Sequence, residues 1–443
     1  MARRVRSLAV FVAALALPLA AAAQVQDLLD AYRLARAGDP VLRAAEANLR
    51  SVGEFVVQAR APLLPQAAAG VGLAQTHGPD TSVNGTLDSV SVRARDVSAS
   101  VSQVLVDVGQ FARLSAAKSR ESAEAAAYHA AEQALIVRVA QAYFDVLVAR
   151  DLLATTEANE AAYLQQVTQS QERYRQGLIA MVDVDQARAY HASAQSATIA
   201  AKKAVGDAIE ALAEITGVRS GRLRTLREDA PLIRPAPEEP EAWVSAALAG
   251  NLLIQAQQRT VQSAGHLIEA ARAGHLPTVN ATLDVGRPAS WPGGDISGRD
   301  GRTVTTVGVL LRIPLFTGGL IQSSVRQAIA QRDVADADLE SVRRRVARET
   351  LDHHSDVIAA IGQIEAGRIA VDAAAKALAS TRVGQQLGTH TMTDLLLAIQ
   401  TLSSAQATYS VARHRLVVSE LQLKQSAGQV SEMDLQNVNA LLR

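Results

Sequence analysis

Three stretches carry side chains with chemical potential. His353-His354 followed by Asp356 offers the nitrogen and oxygen donors of a divalent metal site. Adjacent helical positions point about 100° apart, so the two imidazoles do not converge on one ion, and no metal is expected. Asp183 and Asp394 each follow a short interruption of helical sequence. Thr391-Met392-Thr393-Asp394 has the form of a helix-start box, with Thr391 as cap and an acid favoured at the positive helix end. Lys118, Arg120, Glu121 and Glu124 read as a solvated helix face with paired charges. No phosphate-cradling glycine loop or convergent Ser, His and Asp set occurs, so neither catalysis nor a cofactor is expected. Cysteine is absent, which excludes disulfides, thiolate metal sites and a lipid on an N-terminal cysteine.

The elements that must position these residues are unusually long. From Gln110 to Gln176, 67 residues pass without Gly or Pro, and a second helix-like run continues from Leu178 to Thr216. At about 1.5 Å per residue the first run spans roughly 100 Å, several times the width of a compact domain. Gly177 marks the turn between the two. The pattern recurs 211 residues later around Gly388, which makes the chain a duplicated unit in which Asp183 pairs with Asp394 and Ala187 with Ala398. Hydrophobic residues make up 48% but aromatics only 3%, a mix that favours closely packed helices over a bulky core.

Residues 1–23 have a basic start (Arg3, Arg4, Arg6), an apolar run and a small-residue end, which together predict a secretory signal. Without it, 41 bases face 44 acids, and nothing points to nucleic acid. No later run of about 18 apolar residues predicts a transmembrane helix. The first repeat is placed at 24–217, with a helix closing at Gly38-Asp39-Pro40 and a second helix ending at Pro62 and Pro65. A β-hairpin follows at about 66–106, then long helices at 110–176 and 178–216. Within that hairpin, His77 to Asp88 reads as a loop, and a change of alternation between Arg95 and Asp96 predicts a bulge. A Pro-rich link occupies 218–240. The second repeat, 241–427, offers a hairpin at about 278–315, with a loop from Arg287 to Gly301, and long helices at 320–387 and 389–427. A terminal segment, 428–443, is placed at the waist beside the link.

Strands of roughly ten residues match the length that crosses a bilayer when tilted. Four strands cannot close a barrel and open edges cannot sit in lipid, so several copies must combine; three would supply twelve strands. The different-class alternative is a non-conducting secreted trimeric coiled-coil scaffold or adhesin.

Several segments resemble the TolC-type outer-membrane channel family. Ala59-Arg60-Ala61-Pro62-Leu63-Leu64-Pro65-Gln66 and Ala271-Arg272-Ala273-Gly274-His275-Leu276-Pro277-Thr278 match its helix-to-strand junctions. Pro314-Leu315-Phe316-Thr317-Gly318-Gly319 resembles its strand-to-helix return, and Gln176-Gly177-Leu178-Ile179-Ala180 and Leu387-Gly388-Thr389 its two periplasmic tip turns. The resemblance implies a mainly α protein with a membrane β-barrel: a homotrimer with a twelve-stranded barrel in outer-membrane lipid and an α-helical tunnel in the periplasm. It also implies a periplasmic adaptor and an inner-membrane ABC or proton-driven transporter as partners. Lack of a lipidated cysteine favours the branch serving type I protein secretion as well as drug efflux.

The same resemblance places a gate at the tips. Asp394 matches an acidic constriction position, while Leu397 replaces the second acid. Gln385 and His390 stand where the family type has an aromatic and an arginine that lock the closed state, and Asp183 matches their acidic partner. A lock of His390 on Asp183 would depend on a charge that histidine gains only near or below about pH 6.5. Gly177, Leu178, Ile179, Gly388 and Thr389 are the expected adaptor-docking surface.

Overall fold

The computed structural model describes residues 27–81, 87–292 and 301–443. The signal assigned to 1–23, the Asn84-Gly85 turn and loop residues Gly293, Gly294 and Gly298 lie outside these. In chain order the elements are α1 (Leu28–Gly38), α2 (Pro40–Arg60), β1 (Gln66–Thr81), β2 (Leu87–Val106), α3 (Val108–Arg175) and α4 (Met181–Thr216). The second half repeats them as α5 (Pro240–Gly250), α6 (Leu252–Arg272), β3 (Thr278–Pro292), β4 (Val304–Arg312), α7 (Leu320–Gln386) and α8 (Met392–Ser426), and α9 (Glu432–Asn439) closes the chain. From α1/α5 to the start of α3/α7 the halves lie 212 residues apart, and from α4/α8 onward 211, because α3 has 68 residues and α7 has 67. The helices after the tips begin at Met181 and Met392, three residues later than predicted, because each turn needs extended residues before its cap.

Local chemistry sets the boundaries. Asp39 accepts from Leu42 N at 2.7 Å and Pro40 opens α2, while Asp107 caps α3 through Gln110 N at 3.1 Å. Short 3₁₀ turns at Ala61–Leu63 and Ala273–His275 carry the chain past Pro62 and Pro277 into the strands. Pro65 immediately precedes β1, and Gln66 Nε2 donates to Ala61 O at 2.8 Å to brace that corner. On the return, Pro314 leads to Gly318 (φ 60°) and Gly319 (φ 86°), the latter capping α7.

The strands form one antiparallel sheet in the order β1-β2-β3-β4. They have 16, 20, 15 and 9 residues, so three exceed the predicted ten. Pairing runs into both stretches read as loops: His77 opposes Ser91, and Pro288 opposes Asp96. Pro288 lies beyond the last β3–β4 pair, Gly286↔Val304, where among the described residues the ladder on that side has ended. The bulge expected at Arg95/Asp96 is absent, since the register runs unbroken through Leu73↔Arg95 and Gly72↔Asp96; the irregularity sits between Val104 and Val106. The change of alternation instead moves apolar residues to the opposite face.

Directly opposed residues share a face. One face carries Val71 and Val97, then Ala67, Val101, Leu283 and Val307, then Ala281 with Val309 and Val279 with Leu311. The other carries Ser98, Ser100, Ser102, Thr282, Asp284, Thr306 and Gly308. The apolar residues are exposed, Leu73 by 80% and Val307 by 77%, because nothing among the described residues covers them.

The core lies at the waist of the helical part. Leu28, Tyr143, Phe144, Leu212, Leu226, Leu421 and Leu435 bring α1, α3, α4, the link, α8 and α9 into one cluster. The C-terminal residues pair with the link through Thr225 N to Arg443 O (3.1 Å) and Arg227 N to Leu441 O (3.0 Å). Above the waist, alanines permit close approach: Ser263 Oγ of α6 donates to Ala116 O of α3 at 2.8 Å. The charged stretch near residue 120 is more than a solvated face, since Arg120 stacks over Phe55 at 5.0 Å and Glu124 accepts from Asn48.

Candidate functional site

The tips of the two helix pairs share one backbone design. Gly177 N donates to Tyr174 O at 2.9 Å and Leu178 N to Arg173 O at 2.9 Å; Gly388 N donates to Gln385 O at 3.3 Å and Thr389 N to Gly384 O at 2.9 Å. This pair of bonds closes a helix with its next residue left-handed, and Gly177 (φ 72°) and Gly388 (φ 81°) supply that conformation. The following helices are capped by the acids. Asp394 N donates to the Thr391 hydroxyl oxygen at 3.1 Å, and Asp394 Oδ2 accepts from Thr391 N at 2.9 Å and Thr391 Oγ1 at 2.7 Å. In the first repeat only the return bond forms, Ala180 N to Asp183 Oδ2 at 3.3 Å, because alanine has no side-chain acceptor.

These bonds shape the electrostatics. Hydrogen bonds from Thr391, assisted by nearby His390, hold the Asp394 carboxyl below its ordinary range although it is open to solvent. His390 Nδ1 lies 3.8 Å from Asp394 Oδ2, so its ionic neighbour is in its own tip turn and not Asp183. A turn histidine reaches one helical turn forward more readily than across to another hairpin. The inter-tip link is instead Thr393 Oγ1 to Gln186 Oε1 at 3.2 Å, a pair that sequence reading missed.

Gly384 was also missed. It is buried in the last turn of α7, where a Cβ would collide with the His390 ring and lie 2.9 Å from Thr389 Oγ1. Thr389 Oγ1 donates to Gly384 O at 3.1 Å, so Thr389 braces the turn. Gln385 is 8% exposed beside it. Leu178 (63%), Val182 (68%), Leu387 (75%) and Leu397 (55%) are exposed apolar side chains around the tips, while Ile179 is half-buried. Tyr163 of α3 donates to Leu396 O at 3.2 Å just above, and burial pushes its phenol up to about 12.

His353 and His354 diverge: His354 is buried against Glu238 O at 3.0 Å, whereas His353 faces a cavity between α3, α7 and α8. Burial lowers the basicity of His353, and its Nδ1 has no hydrogen-bond partner. Among the described residues no group of three or more His, Asp or Glu side chains is arranged to hold a metal.

The chain matches the family model described as Outer membrane efflux protein over residues 31–218 and 243–429, the two repeats. It is 31% identical over 438 residues to the Outer membrane protein TolC of Vibrio cholerae serotype O1, covering 98% of each chain. It is 26% identical to the Proteases secretion protein PrtF of Dickeya chrysanthemi, over 94% of this chain and 91% of that one. The solved structure of the outer membrane protein VceC from Vibrio cholerae superposes with a TM-score of 0.77 at 22% identity, covering 90% of this chain and 96% of that one. PrtF is named for secretion and the family model for efflux. With the model matching both repeats, and a relative 31% identical along nearly the whole length, the chain belongs to the outer membrane efflux protein family.

Proposed function

We propose that three copies of this chain form the outer-membrane exit channel of a tripartite export system in a Gram-negative cell, a passive tunnel gated at its periplasmic tips. The sheet carries this reading. One face is an exposed apolar band, the other is lined mostly by Ser, Thr, Gly and Asp, and both outer edges lack partners among the described residues. Open edges in hydrocarbon leave N–H and C=O groups unsatisfied, and three four-stranded sheets close the ring at twelve strands. The helices of roughly 100 Å continue from that barrel as the wall of a periplasmic tunnel. A coiled-coil scaffold or adhesin gives no reason for a sheet apolar on one face and polar on the other. The chain acts as a duct and not as an enzyme. Energy comes from an inner-membrane ABC or proton-driven transporter, coupled through a periplasmic adaptor. The names of the relatives support both protein secretion and efflux.

The tips supply the gate. Threefold symmetry turns Asp394 into a ring of three carboxylates, kept ionised by the Thr391 bonds, that favours cations. Leu397, one turn on, makes the next ring apolar; Gln385 is buried in the last turn of α7, and Asp183 holds the first-repeat turn. His390 Nδ1 stands 3.8 Å from Asp394 Oδ2, at the side of that ring. Gly177, Leu178, Ile179, Gly388 and Thr389 form the adaptor-docking edge, supported by the exposed apolar side chains around them.

The test is single-channel conductance of the purified trimer in a planar bilayer between pH 5 and 8, with Asp394→Asn beside the wild type. Asparagine keeps an acceptor for Thr391 while removing the charge. Small cation-selective steps, with selectivity lost in the variant, are expected. Unchanged selectivity would discard Asp394 as the filter, and no conductance under any condition would overturn the channel.

A further inference from the structure

The link between the repeats passes over α8 as a strap. Leu226 pairs with Leu442 at one end, and Trp243 Nε1 donates to Pro237 O at 2.8 Å at the other, so the stretch between is anchored on both sides. Beneath it lie two hollows of about 350 and 450 Å³. Ile233 of the link, Glu420 of α8 and Leu441 line both. Apolar walls complete them, Ile364, Leu416 and Val417 in the first and Trp243, Leu421 and Val438 in the second.

The charges around the hollows are accounted for except one. Lys424, one turn beyond Glu420, is taken by Asp434 of α9 at 2.6 Å, and Arg413 donates to the Leu226 and Arg227 carbonyls at 3.5 and 2.5 Å. On the link, Glu228 stands 3.4 Å from Arg443 and Asp229 3.1 Å from Arg227. Glu365, Arg368 and Arg234 are exposed at the rims, where water and salt screen them. Half-buried Glu420 makes no hydrogen bond or salt bridge among the described residues. Lys424 acts on it only from a distance, while burial raises its carboxyl to about 7.

We propose that the hollows beneath the link bind an organic ammonium ion with an apolar body, its nitrogen at Glu420 and its hydrocarbon part between Ile233, Trp243 and Leu441. A carboxylate held among apolar groups without a counter-charge is unfavourable, and either a proton or a bound cation relieves it. A proton leaves the apolar space unfilled. An ammonium with a hydrocarbon body fills it and donates to the free carboxylate oxygens, whereas an anion meets repulsion there. Each hollow falls in the range of about 300–1,000 Å³ that small ligands occupy. Both are built within one copy, so binding there is independent of whether the copies form a channel.

The experiment uses the full-length protein in detergent, with 4-phenylbutylammonium as probe and 4-phenylbutanol as its neutral counterpart. Binding is read from Trp243 fluorescence in a Trp291→Phe background, since the chain has two tryptophans. At pH 8 the ammonium should bind, and Glu420→Gln should weaken it roughly tenfold or more, the worth of one hydrogen bond to a charged group. The alcohol should bind wild type no better than the ammonium binds the variant. In wild type the affinity should fall about tenfold from pH 8 to pH 6, because a proton that leaves at about 7 competes for the same carboxylate. In the variant it should stay level. Equal binding by wild type and variant, alcohol binding as tight as ammonium binding, or a flat wild-type pH profile would each overturn the site. That profile needs no substitution at Glu420 and keeps the test decisive if the variant fails to fold. Conductance of the same preparations separates the two readings: binding lost with conductance present counts against this site alone, and conductance absent with binding present counts against the channel alone.

Discussion

Arg138 leaves α3 to donate from Nη2 to Asp39 Oδ2 at 2.7 Å, and the same carboxylate caps α2. Asp39 is 2% exposed, so a single charge serves two elements while depending on one counter-charge. The equivalent of Asp39 in the second repeat is the neutral Asn251, which caps α6 through Leu253 N at 2.9 Å. Removing one member of a buried pair strands the other, so Arg138→Ala should lower stability by about 3 kcal/mol. Adding Asp39→Asn should restore most of the loss, because asparagine caps about as well as aspartate. Thermal unfolding of the single and double variants checks this, and equal losses in both would mean that Arg138 acts through packing alone.

At the scale of elements, the tip turns separate two uses of glycine. Gly388 has a left-handed backbone and nothing within 4 Å of an added Cβ, so Gly388→Ala should cost about 1 kcal/mol through the backbone alone. Gly384 sits in ordinary helix but beneath the His390 ring, so Gly384→Ala should act through collision with that ring. A double-mutant cycle with His390→Ala distinguishes them: coupling on the order of 1 kcal/mol is expected for Gly384 and a much smaller value for Gly388. Amide hydrogen exchange at the tips reads both, and additive behaviour of Gly384 and His390 would refute the contact.

Across the whole molecule, the waist ties both repeats, the link and the C-terminus together, and Glu420 of α8 sits among them. It lines cavities of about 350 and 450 Å³ that share Ile233 and Leu441. Burial raises its carboxyl from 4.5 to about 7, against the opposing effect of Lys424. The folded state therefore holds this proton more tightly than the unfolded chain, and stability falls as pH rises from about 4.5 to about 7. Glu420→Gln should flatten that slope and stabilise the protein at pH 8 by on the order of 2 kcal/mol. Identical pH slopes of the unfolding midpoint in wild type and variant would sink the idea. The architecture enclosing this waist is legible in the sequence by itself: the long helices, their Gly177 and Gly388 turns, the duplication, and hairpins that one chain cannot close. Those signals are local, being periodicity, caps and the spacing of Gly and Pro, and they hold whatever the chain later packs against. Tertiary structure alone decided that His390 faces Asp394, that Gly384 yields space to its ring, that Thr393 meets Gln186, and that Val101, Leu283 and Val307 share a face of the sheet. Each of those depends on register or on partners brought from distant parts of the chain, and alternation along one strand does not specify which neighbour it will pair with.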